Sequence, residues 1–229
     1  MTGVVQHIAA GSRPLILNPV HTYAHPAVEA SLFHLAGRGW GVMRAFGAIG
    51  VDRVRCHLAS KAYHSEHDWW IWVDSDMLVR PQDFEALIAS AVEAKATIMG
   101  VPAVTRGKRE LNLAPVDPSQ PMLLGAQGGV YEVVKVGTAM LATHRSVYED
   151  MWDSLPECDY IDDETGETFE GRPFFHPLIR NRTHYGEDFT FCLRARDAGH
   201  RVYVDTRIQI GHEANTVLTW ADAQGAQRV

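Results

Sequence analysis

Cysteine is scarce in this chain of 229 residues: Cys56, Cys158 and Cys192 stand far apart, and no CxxC pair occurs. That excludes a disulfide framework and a cysteine-based zinc knuckle, and it fits a reducing cytoplasm. Long apolar runs are absent. No stretch approaches the roughly 18 consecutive apolar residues of a membrane span, so no membrane partner is expected. Residues 1–14 hold one arginine and no apolar core, unlike a secretory signal. Positive charge is in deficit, with 21 Lys and Arg against 28 Asp and Glu, a net −7 with neutral histidine. Bulk charge therefore disfavours a protein that holds nucleic acid by phosphate neutralisation alone, although a local patch could still do so. Glycine-rich phosphate loops are missing too. Neither GxGxxG nor GxxxxGK followed by Ser or Thr is present, which speaks against dinucleotide or ATP binding by those devices.

What is present is a patterned globular chain, 46% hydrophobic. Leu15-Ile16-Leu17 reads as a buried strand closed by Asn18-Pro19. Pro26 opens a helix through residue 36, which Gly37 and Gly39 stop. Residues 40–46 read as a strand. Val51, Val54, Leu58 and Ala62 mark an amphipathic helix over 51–65. The run Trp69-Trp70-Ile71-Trp72-Val73 is apolar throughout and reads as a strand covered on both faces. Pro81 opens a helix over 82–94, and a strand follows at 97–101. Residues 102–130 read as a long loop with a hairpin. Strands at 131–136 and 139–142, a helix at 146–152, an irregular stretch at 153–183 and a helix at 187–198 come next. A strand at 201–204 is continued or followed by 208–210, and 214–229 has a weak helical pattern. Alternating strands and helices imply an α/β fold with a mostly parallel sheet, with ligands beyond the strands' carboxyl ends. With no repeat or linker, one domain over 1–229 is expected, its core at about 15–212 and a tail at 213–229.

Three constellations could carry chemistry. Asp74-Ser75-Asp76 follows the buried tryptophan strand, and two carboxylates there could reach one hard cation such as Mg²⁺ or Mn²⁺. An ordinary turn or helix N-cap is the alternative. Glu187-Asp188 opens a helix, where the dipole favours acids in any case; a carboxylate general base is the functional reading. His212, after a strand, is a structural histidine or the completion of a site begun by the carboxylates.

Taken in order, Trp72-Val73-Asp74-Ser75-Asp76-Met77, then Gly186-Glu187-Asp188 with Phe191-Cys192 and Arg194-Ala195, then Gly199 and Gly211-His212, resemble GT-A fold glycosyltransferases. The chain is most similar to small family 2-like enzymes of bacteriophage type, from about residue 15 to residue 212. The resemblance implies a single-domain GT-A, Rossmann-like α/β fold. It puts Asp76 on a divalent metal, Mn²⁺ or Mg²⁺, and Asp74 near the ribose or the metal. His212 joins the metal. Asp188 is the base of inverting members, with Glu187 beside it. Asn18 and Pro19 fall where the family places its nucleotide loop, and Ser75 lies between the two donor-side aspartates. Arg53 resembles an arginine of the phage-type relatives; a phosphate contact and a simple pairing with Asp52 stand even. Gly137-Thr138-Ala139 resembles an acceptor-side loop, or is an ordinary bulge. Arg106, Lys108 and Arg109 form a basic cluster, which is a solvated loop or, with a nucleic-acid acceptor, a phosphate contact. Trp69, Trp70 and Trp72 read as packing rather than a sugar platform.

The resulting expectation is a metal-dependent glycosyltransferase with a nucleotide-sugar donor, a UDP-sugar before others, and a hydroxyl acceptor. A hydroxymethylated base in DNA ranks ahead of any other single acceptor, with the acidic net charge against it. The alternatives are a carbohydrate or small-molecule acceptor, a nucleotidyltransferase, and a non-catalytic nucleotide-sugar or glycan-binding module.

Overall fold

Alternate residues of a strand leave on opposite faces, and all five side chains of Trp69–Val73 are buried. Trp70 and Trp72 enter one hydrophobic cluster, while Trp69, Ile71 and Val73 enter a second. Such a strand needs helices on both faces of its sheet. The computed structural model, which describes residues 14–46, 50–105, 109–162, 165–213, 219 and 221, shows that arrangement. The expectations for residues 1–13 and most of 214–229 lie outside the described residues.

The first half runs β1 (Pro14–Val20), α1 (Pro26–Ala36), β2 (Gly41–Phe46), α2 (Val51–Tyr63), β3 (Trp69–Val73), β4 (Met77–Leu78), α3 (Pro81–Glu93) and β5 (Ile98–Gly100). Then come β6 (Leu113–Pro115), β7 (Val130–Val136), β8 (Met140–His144) and α4 (Arg145–Trp152). Two hairpins follow, β9 (Cys158–Ile161) with β10 (Thr168–Gly171) and β11 (Leu178–Arg180) with β12 (Thr183–Tyr185). The chain continues through α5 (Glu187–Asp197), β13 (Val202–Asp205) and β14 (Gly211–His212).

Eight strands form one sheet in the order β2-β1-β3-β8-β5-β13-β7-β6. β1 pairs in parallel with β2 and β3, and β13 with β5. β8 is inserted antiparallel between β3 and β5, and β7 runs antiparallel to β13 and β6. All strands but β7 and β8 therefore run one way. Helices α2, α4 and α5 cover one face, and α1 and α3 the other. The mostly parallel α/β architecture that the resemblance implies is the architecture observed.

Three local expectations change. Residues 158–161 with 168–171, and 178–180 with 183–185, form two hairpins where irregular chain is expected over 153–183; their strands are only three or four residues long, too short for a period to be read. Residues 208–210 form no strand: Ile208 and Ile210 are buried by packing, and pairing resumes at β14 with β4. β1 runs on through Asn18 and Pro19. The ladder from β1 to β3 ends at Leu17–Trp72, so the proline interrupts no bond on that side.

The cluster beneath β3 also contains a buried polar chain. Trp72 Nε1 donates to Tyr148 Oη at 2.9 Å, and Tyr148 Oη lies 3.1 Å from Thr143 Oγ1. Burial pushes the Tyr148 hydroxyl's pKa up, so it stays a neutral donor and acceptor. Tyr148→Phe leaves the Trp72 indole N–H unpaired in the core. The expected loss is about 1–3 kcal/mol in urea unfolding; an unchanged midpoint contradicts it.

Candidate functional site

β1 and β3 end side by side, and the chain turns there at Asp74-Ser75-Asp76. Bonds from three remote segments hold that turn. Asp74 N donates to Ala139 O at 3.2 Å, His25 N to Ser75 O at 2.6 Å, and Glu213 N to Asp76 O at 2.8 Å. A cavity of about 300 Å³ opens beside it, lined by Pro19, Val20, His21, Asp74, Ser75, Asp76, the start of α2 and Glu187. Gly50 admits the chain to α2 at φ +87°, a conformation few other residues adopt. The N-terminus of α2 has no side-chain cap and forms part of the cavity wall.

Arg55 dominates that wall. Its side chain is 3% exposed, and Nη2 donates to Asp74 Oδ1 at 2.6 Å. Nη1 lies 3.8 Å from Glu187 Oε1, beyond hydrogen-bond range. Among the described residues, Nε and Nη1 have no hydrogen-bond partner. Buried guanidinium groups are normally satisfied, and an exception calls for an explanation. Burial pushes the Asp74 carboxyl up from the ordinary range, with Arg55 opposing that shift.

For Arg53 the sequence leaves a phosphate contact and a pairing with Asp52 even. Arg53 is exposed and does not line the cavity. The signal for Arg55 was present all the same. Position 55 lies four residues after Val51 and three before Leu58, on the apolar stripe itself, where a charged residue needs a partner.

Glu187 and Asp188 open α5, but they face different surroundings. Glu187 lines the cavity. Asp188 sits beyond it, half-buried, with Oδ1 accepting from Phe189 N at 2.7 Å and Oδ2 from Asn112 Nδ2 at 3.2 Å. Burial raises the Asp188 carboxyl's pKa. Arg55 and those two donors oppose the rise, and Asp74 adds to it. Such a group holds a proton to higher pH than a surface aspartate, as suits a base. Asn112 had no mark in the sequence.

The metal expectation named three residues. Among the described residues, no group of three or more His, Cys, Asp or Glu side chains is gathered as a ligand set. Asp74 faces Arg55 instead. Asp76 and His212 do come together, with Nε2 3.4 Å from Oδ2. His212 Nδ1 lies 2.8 Å from Val104 O, an acceptor, so Nδ1 carries a hydrogen and Nε2 is the ring nitrogen that faces Asp76. One carboxylate oxygen and one imidazole nitrogen at that spacing fit two neighbouring positions on a single ion. A Mg²⁺- or Mn²⁺-type ion habitually takes few protein ligands and completes its shell with water and phosphate. The pair therefore fits a divalent ion, and Asp74 does not join it here.

Several other expectations find their places. Asn18 is fully buried and does not line the cavity. Its Nδ2 donates to Val73 O at 2.8 Å, and its Oδ1 accepts from Arg44 Nε at 3.0 Å, so the amide is spent inside the sheet. Pro19 and Ser75 do line the cavity. Gly137 and Thr138 are buried, with Gly137 close to Asp188. Arg109 is exposed, while Arg106 and Lys108 lie outside the described residues. Trp69, Trp70 and Trp72 are core, as expected.

No family model and no curated protein matches the chain. Among solved structures it is similar to A197 from STIV, with a TM-score of 0.59 and 13% identity over 95% of this chain and 97% of that one. The chain has a GT-A-type fold. TarS 1–349 of S. aureus, in complex with UDP-GlcNAc, superposes less well, at a TM-score of 0.45 and 12% identity over 85% of this chain and 56% of that one. The shared fold rests on A197, which matches nearly end to end. No described helix is long and apolar enough to cross a membrane.

Proposed function

We propose that the chain is a glycosyltransferase that moves a sugar from a nucleotide-sugar donor, a UDP-sugar before others, to a hydroxyl acceptor. One observation carries the reading: Arg55, whose Nε and Nη1 lack hydrogen-bond partners among the described residues, stands in the wall of a cavity beyond the carboxyl ends of β1 and β3. A guanidinium so placed is a receptor for phosphate oxygens. The uncapped N-terminus of α2 adds partial positive charge at the same wall.

Asp74, Asp76 and Glu187 line the cavity against the single guanidinium. Three carboxylates repel a diphosphate unless a divalent cation accompanies it. That supports metal dependence, with Asp76 and His212 as the protein ligands. When bound, the ion supplies positive charge that stabilises the departing diphosphate.

In an inverting transfer, the acceptor oxygen bonds to the anomeric carbon as the bond from that carbon to the phosphate oxygen breaks. The leaving electron pair goes to the diphosphate, and Asp188 takes the hydroxyl proton. Arg55 holds phosphate, and Glu187 balances its charge at the cavity wall. For the acceptor we retain a hydroxymethylated base in DNA, with exposed Arg109 as the described member of the basic cluster.

The test measures UDP release from a panel of UDP-sugars, with and without Mn²⁺. The expected result is slow hydrolysis of one donor only when Mn²⁺ is present, lost in Asp76→Ala without loss of the fold. No hydrolysis together with no UDP binding in calorimetry rejects the UDP-sugar reading. A gel-shift titration with duplex DNA across salt tests the acceptor. Binding that weakens with salt is expected of a DNA acceptor; no binding at any salt assigns the acceptor to carbohydrate or a small molecule.

A further inference from the structure

The chain between β5 and β7 delivers a side chain to Asp188 from 76 residues away: Asn112 Nδ2 donates to Asp188 Oδ2 at 3.2 Å. The backbone of Asn112 is held on both sides. Its N–H donates to Ala103 O at 2.8 Å, and its C=O accepts from Gly137 N at 2.8 Å. Gly137 also leaves the space that the amide occupies. A Cβ at 137 would stand 2.0 Å from Asn112 Nδ2 and 3.2 Å from Asp188 Oδ2. Close approach, and not backbone conformation, explains that glycine.

Asp188 is thereby tied at both oxygens, Oδ1 by Phe189 N of its own helix and Oδ2 by Asn112. The charges acting on it are Arg55 from α2 and Asp74 from the end of β3, with Glu187 adjacent in the chain. An amide donor stabilises the ionised carboxylate without adding a charge. A lysine or arginine in its place would form an ion pair and weaken the carboxylate as a base.

We propose that Asn112 is the positioning residue of Asp188: its amide sets the rotation of the carboxylate and favours its ionised form, and Gly137 provides the room. The inference rests on the reading of Asp188 as the base. Asn112 acts through Asp188 and does not itself touch the reacting atoms.

The experiment compares Asn112→Ala, Asn112→Asp and Gly137→Ala with the unsubstituted protein. Two quantities are read. One is the titration of the Asp188 carboxyl carbon by NMR, assigned by its absence from Asp188→Asn. The other is the pH dependence of kcat and KM for Mn²⁺-dependent donor hydrolysis. Asn112→Ala and Gly137→Ala are expected to lower kcat about tenfold, the size of one lost hydrogen bond to a charged group, with donor KM unchanged. The acid limb of kcat and the NMR midpoint should move up together. Asn112→Asp should move both further up, since neighbouring carboxylates share a proton. Gly137→Ala keeps the backbone bond to Asn112 and strikes the amide far harder than the carboxylate, at 2.0 Å against 3.2 Å, so it decides the matter if Asn112→Ala fails to fold. An NMR midpoint unmoved in these variants overturns the inference. A midpoint that moves while kcat stays unchanged, both there and in Asp188→Asn, overturns instead the assignment of Asp188 as base.

Discussion

Arg55→Ala is expected to weaken UDP binding by about 100-fold in calorimetry, the largest loss from any single substitution in the cavity. Two hydrogen bonds from a guanidinium to phosphate are each worth about 1.5–3 kcal/mol, and two Arg55 nitrogens, Nε and Nη1, have no hydrogen-bond partner among the described residues. The same substitution removes the partner of Asp74. Breaking a fully buried pair costs about 3–5 kcal/mol. The Asp74 side chain retains 31% exposure, so a smaller loss of stability is expected here. Arg55→Ala combined with Asp74→Asn separates the two roles. Stability should return in the double variant, because no half-buried carboxylate is left without a partner, while UDP affinity should not. UDP affinity in Arg55→Ala that stays within about twofold of the parent's removes the phosphate role from Arg55.

Asp188→Asn is expected to lower donor turnover by about 10²–10⁴-fold, the usual contribution of a positioned base, while leaving UDP affinity unchanged. Asp188 does not line the donor cavity, which is why the two effects should part. The pH dependence has a definite sign. Burial raises the Asp188 carboxyl above the ordinary value near about 3.9. A base must be ionised to accept a proton, so turnover should fall as pH drops through that raised value, and the limb should vanish in the variant. Stability should move the opposite way. A carboxyl whose pKa is higher in the folded state favours folding in its protonated form and opposes folding once ionised. Asp188→Asn is therefore expected to melt higher than the parent at neutral pH, with the difference disappearing at acid pH. A variant with full turnover, or one whose acid limb persists, removes Asp188 from the base role. Glu187→Gln supplies the contrast: Glu187 lines the cavity beside Arg55, so its effect should fall on donor affinity.

Most sheet strands could be read from the chain because their signals are local. The apolar run Trp69–Val73 needs burial on both faces wherever it sits, and Pro26 and Pro81 open helices by their own fixed φ. The Asp74-Ser75-Asp76 turn is visible as the polar break after that run. The two hairpins, β9 with β10 and β11 with β12, are not legible in the chain because strands of three and four residues are too short to establish a period.

The sequence by itself determined the α/β class, the strand that carries the acidic turn, and the helix that begins at Glu187. Each follows from residues close together in the chain. Only the tertiary structure decided which charges meet. It set Arg55 against Asp74, committed the Asn18 amide to the sheet, separated Asp74 from the Asp76–His212 pair, and carried Asn112 to Asp188. It also inserted β8 antiparallel between β3 and β5. These are long-range pairings, decided by how the strands order and, for Asn112, by the room Gly137 leaves for its amide. Local composition contains no term for that distance.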